Sequence, residues 1–436
     1  MFSTLLSIAV SSTLLAQSPT LPAAALSLQE CVQMALSKSP DLESARQKLV
    51  QSRALLWKSV APFSPQDSFT ANQTQLGYDQ AGRLNKGNRW DSDTLSTAFT
   101  ASWNVFNGFR DWDRWKGAKA DSRAAQEALE AARRLIIFQT VQAYYGMLVA
   151  DRSIEVKREN LHSKREHLQL AQARFRAGVR SYSDVLNAQI QMKQSEIDLI
   201  SSQSQRRSAL IALNILLERP VSAPTAVQDQ LAFEPSQEDL DGYVRSAYER
   251  RPEIREAAAQ LDSAKAARAF AIHDALPALS IGGLWNYSPT RPAAGSASGA
   301  PVAGLNPFWQ VNLGVSVPFW DGGARIQEAR KTLAGVRDQE ANVEKVKRTV
   351  VGEVAEAFLS LDRNQQIYQI ARDQVSAARE DLKIVTERYR NGAASFLEVV
   401  DAEANLLNVQ LASVQSLYNF HIARHQLRRA AGLETF

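Results

Sequence analysis

Between Thr94 and Val105 the chain alternates: Leu95, Phe99, Trp103 and Val105 fall on one side, and Ser96, Thr100, Ser102 and Asn104 on the other. A period of two is the mark of a strand with one oily and one wet face. The alternation returns at 309–319, where Trp309, Val311, Leu313, Val315, Val317 and Phe319 oppose Gln310, Asn312, Gly314 and Ser316. A weaker partner precedes each, at 67–78 and 278–287, joined through loops rich in Gly, Asn, Ala, Ser and Pro at 80–91 and 288–307. Two antiparallel hairpins are predicted, with strands of ~9–11 residues, the length that crosses a bilayer at a tilt. Tyr78, Trp90, Trp103, Trp285, Tyr287, Trp309, Phe319 and Trp320 fall near strand ends, where interfacial aromatic girdles lie.

Elsewhere the period lengthens. The stretches 111–176 and 324–390 contain no proline, and at ~1.5 Å per residue each predicts a helix of about 100 Å. In the second, Leu333, Val336, Val343, Val350, Val354, Ala357, Leu361, Tyr368, Ala371, Val375, Ala378, Leu382, Val385 and Tyr389 occupy heptad a and d positions, interrupted by Glu340, Lys347 and Asn364. A seam of that length predicts a coiled coil, completed by an antiparallel return helix.

The chain contains this design twice. The stretch from Phe175 to Asn187 matches the stretch from Tyr389 to Asp401, with Gly178 and Gly392 lying 214 residues apart. The same offset carries Phe106-Asn107-Gly108 onto Trp320-Asp321-Gly322, and at an offset of 212 Ser39-Pro40-Asp41-Leu42 matches Arg251-Pro252-Glu253-Ile254. The expected organisation is a secretory signal at 1–25, ending in the small residues Ala23-Ala24-Ala25, and a first repeat at 26–218. That repeat comprises short helices, a hairpin at about 67–105, a long helix at 111–176, a tip at 177–182 and a return helix at 183–217. A linker follows at 219–236, marked by Pro220, Pro224 and Pro235. The second repeat, 237–436, has its hairpin at about 278–319, long helix at 324–390, tip at 391–395 and return helix at 396–431.

Composition narrows the class. A mean hydropathy of −0.28 excludes a polytopic helical membrane protein. The net charge of +4 comes from nearly balanced acids and bases along helices, with no basic stripe interleaved with aromatics, so no nucleic-acid partner is expected. The lone cysteine, Cys31, lies in an amphipathic stretch and reads as a small buried residue. His421 and His425 are four apart on a helix, but no Glu follows His421, and neither a phosphate-cradling loop nor a nucleophile elbow occurs. No enzyme activity, metal or cofactor is expected.

Four strands cannot close a barrel, because the smallest single-chain barrels have eight and an open edge in lipid leaves backbone groups unsatisfied. Two chains would give eight strands, too narrow for a duct; three would give twelve around an open lumen. The doubled tip, the Phe319-Trp320-Asp321-Gly322-Gly323 turn and the Ser39-Pro40-Asp41-Leu42 helix entry resemble the TolC family of outer membrane efflux proteins. The fold the resemblance implies is mainly α with a β-hairpin in each of two internal repeats. Long antiparallel coiled-coil helices form a periplasmic α-barrel, and four strands per chain contribute to a trimeric 12-stranded outer-membrane β-barrel. It further implies a homotrimer embedded in outer membrane lipid that exports substrates when a periplasmic adaptor and an inner-membrane pump dock.

The resemblance also places the gate. Glu398 and Asp401 match acids that narrow the family's periplasmic mouth; three apart, they share a helix face and across three chains would form stacked rings favouring cations. Tyr389 matches an aromatic of the family's closing network, and Asp184 an acid in the first copy. Where the best-known member carries a closing Arg this chain has Ala394, and Arg180, the first copy's equivalent, is expected to substitute. Gly178, Val179, Gly392 and Ala393 match the adaptor-docking tips. Two other classes fit parts of the pattern. A soluble periplasmic coiled-coil scaffold leaves the aromatic strands unexplained, and a trimeric autotransporter-like anchor would gather its strands at the C-terminus.

Overall fold

The computed structural model describes residues 25–76, 92–179, 181–229, 232–235, 239–287, 290–292 and 307–433. The expected signal, the aromatics Tyr78 and Trp90, and Arg180 lie outside them. Helices α1 (Leu28–Lys38) and α2 (Pro40–Lys58) lead into strands β1 (Gln66–Leu76) and β2 (Ser92–Phe106), then α3 (Arg110–Arg176) and α4 (Tyr182–Leu216). The order repeats with α5 (Leu240–Arg250), α6 (Pro252–His273), β3 (Ala278–Tyr287), the short β4 (Thr290–Pro292), β5 (Phe308–Ser316), α7 (Ala324–Arg390) and α8 (Phe396–Ala430). Helices α3 and α7 each run 67 residues and α4 and α8 each 35, so the two copies match in length as well as in sequence.

Helix starts follow local chemistry. Ser27 and Ser395 close capping boxes with Glu30 and Glu398, and Pro40 and Pro252 stand at first helical positions, where a missing N–H costs nothing. The strand-to-helix turns use two left-handed residues in succession, Gly322 and Gly323 before α7 but Gly108 and Phe109 before α3. Strand β5 ends at Ser316, short of the expected 319, because Pro318 has no N–H for the ladder and restricts the residue before it.

All four main strands join one antiparallel sheet in the order β1-β2-β3-β5, with β4 paired to β2. Register keeps the two faces distinct. Phe69, Phe99, Trp285 and Trp309 are successive partners across the sheet, and Trp103, Ile281 and Leu313 form another row of the same face. The opposite face carries Ser68, Thr100, Leu284 and Gln310 in one row and Ser102, Gly282 and Asn312 in another. Trp309 is 76% exposed, as a lipid-facing indole must be in a single chain. No described helix is long and apolar enough to cross a membrane.

The helices form a layer one helix deep. In the half nearer the sheet the packing order is α2-α3-α6-α7, and in the half nearer the tips α3 and α8 meet while α4 and α7 flank them. The heptad seam read from the sequence is the buried one: Val336, Val350, Val354, Ala357, Leu361, Ala371, Ala378, Val385 and Tyr389 are buried on α7. Asn364 is buried among them and donates to the Ser360 carbonyl at 2.6 Å. A satellite core gathers α1, with fully buried Cys31, against Tyr144, whose hydroxyl donates to the Gln228 carbonyl at 2.6 Å. Burial raises the Cys31 thiol pKa to about 11, so it behaves as a small apolar residue.

One chain leaves matching edges open. Strands β1 and β5 are the outer strands, while α2 or α4 and α7 are the outer helices. The exposed apolar side chains concentrate there: Leu55 and Trp57 on α2, Ile190 and Ile197 on α4, Leu359 and Ile370 on α7. Strand β5 leads directly into α7, and α2 leads into β1, so the helical and strand edges share the same two sides of the chain.

Candidate periplasmic gate

Both tips end their long helices identically. At the first, Val179 N donates to Arg174 O at 3.0 Å and Gly178 N to Phe175 O at 2.9 Å; at the second, Ala393 N donates to Arg388 O at 2.8 Å and Gly392 N to Tyr389 O at 3.1 Å. These paired bonds need a left-handed residue, supplied by Gly178 at φ 72° and Gly392 at φ 76°. A Cβ on either glycine would meet nothing within 4 Å, so the turns stand free of the body, with Val179 and Ala393 exposed.

Glu398 sits at the start of α8. Its Oε1 accepts from Ser395 N at 2.8 Å, its own N–H donates to Ser395 Oγ at 3.2 Å, and Arg388 Nη2 lies 3.7 Å from Oε2. The bonds from the Ser395 backbone and hydroxyl, with the nearby Arg388 charge, hold the Glu398 carboxyl below the usual range. Asp401 is exposed one turn further along α8.

Tyr389 is buried, and its hydroxyl accepts from Arg174 Nη1 at 2.5 Å while the Arg174 guanidinium lies 4.7 Å from the ring centre. Asp184 lines the small cleft holding this pair, together with His167 and Phe396. The structure therefore brings Tyr389 and Asp184 together around Arg174, a residue the sequence did not single out.

Two turns above lies a second constellation that the sequence reading missed. Glu403 on α8 is buried, and three α3 side chains converge on it: Ser163 Oγ at 2.5 Å, Lys164 Nζ at 2.6 Å and His167 Nε2 at 2.6 Å. Burial alone would raise the Glu403 pKa, but the His167 bond, the Lys164 charge and bond and the Ser163 hydroxyl outweigh it and hold the group at about 2. A signal existed: Lys164 lies 214 residues before the seam position Ala378, so a charge occupies a coiled-coil core position. By contrast, His421 and His425 are held below their ordinary pKa, both at about 4, chiefly by burial. His421 stacks on Tyr145 at 4.9 Å, and no metal-ligand cluster occurs among the described residues.

An incomplete sheet with one lipid-compatible face, continued on the same sides by a curved helical layer, defines a chain that becomes a duct only with copies of itself. Its sequence matches the outer membrane efflux protein family over residues 31–218 and 243–433, one stretch per repeat, and the chain belongs to that family. It is 24% identical to protein CyaE of Bordetella pertussis over 420 residues, 93% of this chain and 84% of that protein. It is 22% identical to outer membrane protein TolC of Escherichia coli K12 over 421 residues, 93% of this chain and 82% of that one. The fold superposes on the CmeC outer membrane channel of Campylobacter jejuni with a TM-score of 0.79 at 19% identity, covering 93% and 85% of the two chains.

Proposed function

We propose that three copies of this chain close into a channel-tunnel that carries substrates from a tripartite pump, for efflux or secretion, across the periplasm and outer membrane. The observation that carries this reading is the coincidence of the open edges: β5 and α7 lie on one side of the chain, β1, α2 and α4 on the other. A head-to-tail contact between unlike edges repeats around a ring, and three copies give twelve strands, each edge paired as the bilayer demands.

In this trimer α8 starts place Glu398 and Asp401 as acidic rings at the periplasmic mouth. Mutual repulsion between three copies of Glu398 opposes the lowering that Ser395 imposes on its carboxyl within one chain. The Tyr389 to Arg174 bond, with Asp184 beside it, ties the second coiled coil to the first in the closed state. Arg180 supplies the closing guanidinium absent at Ala394. The free-standing tips at Gly178, Val179, Gly392 and Ala393 meet a periplasmic adaptor, which brings the inner-membrane pump. The test is the mass of the detergent-extracted complex: three copies are expected, and a monomer extracted without detergent would instead support a soluble scaffold.

A further inference from the structure

A cavity of about 890 Å³ touches all four helices of the upper layer, including Leu55 on α2, Arg114 and Ala118 on α3, Phe270 on α6 and Arg325 on α7. A cleft that reaches both outer helices of a curved four-helix layer lies on its concave side, which in a closed ring is the lumen. At ~100° per residue, the α3 stripe Trp112, Trp115, Lys116 and Lys119 centres ~180° away from the α3 residues that line the cleft, Asp113, Arg114, Gly117, Ala118 and Asp121, and so faces outward. The two indoles lie 4.8 Å apart, Lys116 Nζ is 5.7 Å from the Trp112 ring and Lys119 Nζ 5.1 Å from the Trp115 ring. Neither ammonium meets a carboxylate among the described residues.

The height of this stripe points to its partner. β2 ends at Phe106 and only Asn107, Gly108 and Phe109 separate it from α3, whose rise from Arg110 to Lys119 is ~14 Å, so the stripe lies in the first turns just beyond the Trp103 end of the sheet's lipid-compatible face. Positions 214 residues later are Ile326, Ala329, Arg330 and Leu333, with no aromatic, so each chain carries one such stripe.

We propose that Trp112, Trp115, Lys116 and Lys119 form a docking surface for anionic phospholipid headgroups of the periplasmic leaflet, an inference resting on the outer-membrane channel reading. The indoles occupy the interface, and the ammoniums, held over their rings, engage the lipid phosphates. The test is native mass spectrometry of the full-length detergent-purified protein titrated with phosphatidylglycerol or phosphatidylcholine. Wild type is expected to prefer phosphatidylglycerol; K116Q/K119Q is expected to weaken that binding ~30-fold, from two lysines near a lipid surface, and to leave phosphatidylcholine unchanged. The control K345Q/K383Q, with the same charge change far from the membrane, is expected to bind as wild type. Equal phosphatidylglycerol binding by K116Q/K119Q, or equal competition by inorganic phosphate, would overturn the proposal. Conductance of the same preparations reports separately on the channel reading: no conducting wild type would overturn that reading itself.

Discussion

Lys164 Nζ lies 2.6 Å from Glu403 Oε2 in a buried contact that joins the long helix of the first repeat to the return helix of the second. In the proposed trimer the repeat offset pairs Ala378 of one chain with Gln189 of its neighbour, a contact that carries no charge. The ion cluster thus marks the seam within a chain as different from the seam between chains, and gate opening is expected to move the uncharged one.

Removing Lys164 strips the buried Glu403 carboxylate of its ammonium partner and leaves it only Ser163 and His167. Lys164→Met is expected to destabilise the protein by about 3 kcal/mol, and the double substitution K164M/E403L to recover most of that loss. Urea unfolding of the three proteins reads this directly; additive losses would show that the pair is not coupled.

The same cluster sets a pH dependence. The Glu403 pKa is depressed in the folded chain, so its contribution is full above the ordinary carboxylate pKa of 4.5 and is lost as pH falls from there towards about 2. Comparing unfolding of wild type and E403Q from pH 6 to pH 3, the gap between them is expected to narrow only below about 4.5; a constant gap would contradict the assignment.

Tyr389→Phe removes the acceptor for Arg174 while keeping the ring. We expect a larger resting conductance with stability lowered by only about 1 kcal/mol, the usual worth of one such bond. Arg174→Ala should open the gate at least as much, since it also removes the contact over the ring.

Glu398 and Asp401 should separate by role. Glu398→Gln keeps a side chain able to complete the capping box and so changes selectivity with little change in stability, whereas Glu398→Ala loses both. Asp401→Asn is expected to lower cation selectivity alone, an effect that fades with rising salt. Reversal potentials and melting curves of the three variants distinguish these outcomes.

The architecture was legible because it rests on long periods. Strands that alternate over ten residues, a seam sustained over eight heptads and a 214-residue repeat leave few other solutions, and the buried α7 positions are those of the heptad reading. The Ser395 to Glu398 capping box was missed in the sequence, although its three-residue spacing lies in plain view at the start of α8. The two buried polar contacts were harder to read, and only Lys164, at a seam position of the repeat, carried a signal. Arg174 reads as an ordinary basic residue near a helix C-terminus, and its partner is 215 residues away. His167 and Glu403 look like solvated helix charges until the second long helical pair is laid against the first. Phe109 adopts φ 67° where the second copy has Gly323, which residue identity alone disfavours.

The most direct test of the account is single-channel recording of the detergent-purified protein in a planar bilayer, wild type against E398A/D401A. A small, cation-selective conductance that grows and loses its selectivity in the double variant is expected. Folded, membrane-extracted protein that forms no channel would contradict the duct, and a channel indifferent to the two substitutions would contradict the acidic gate.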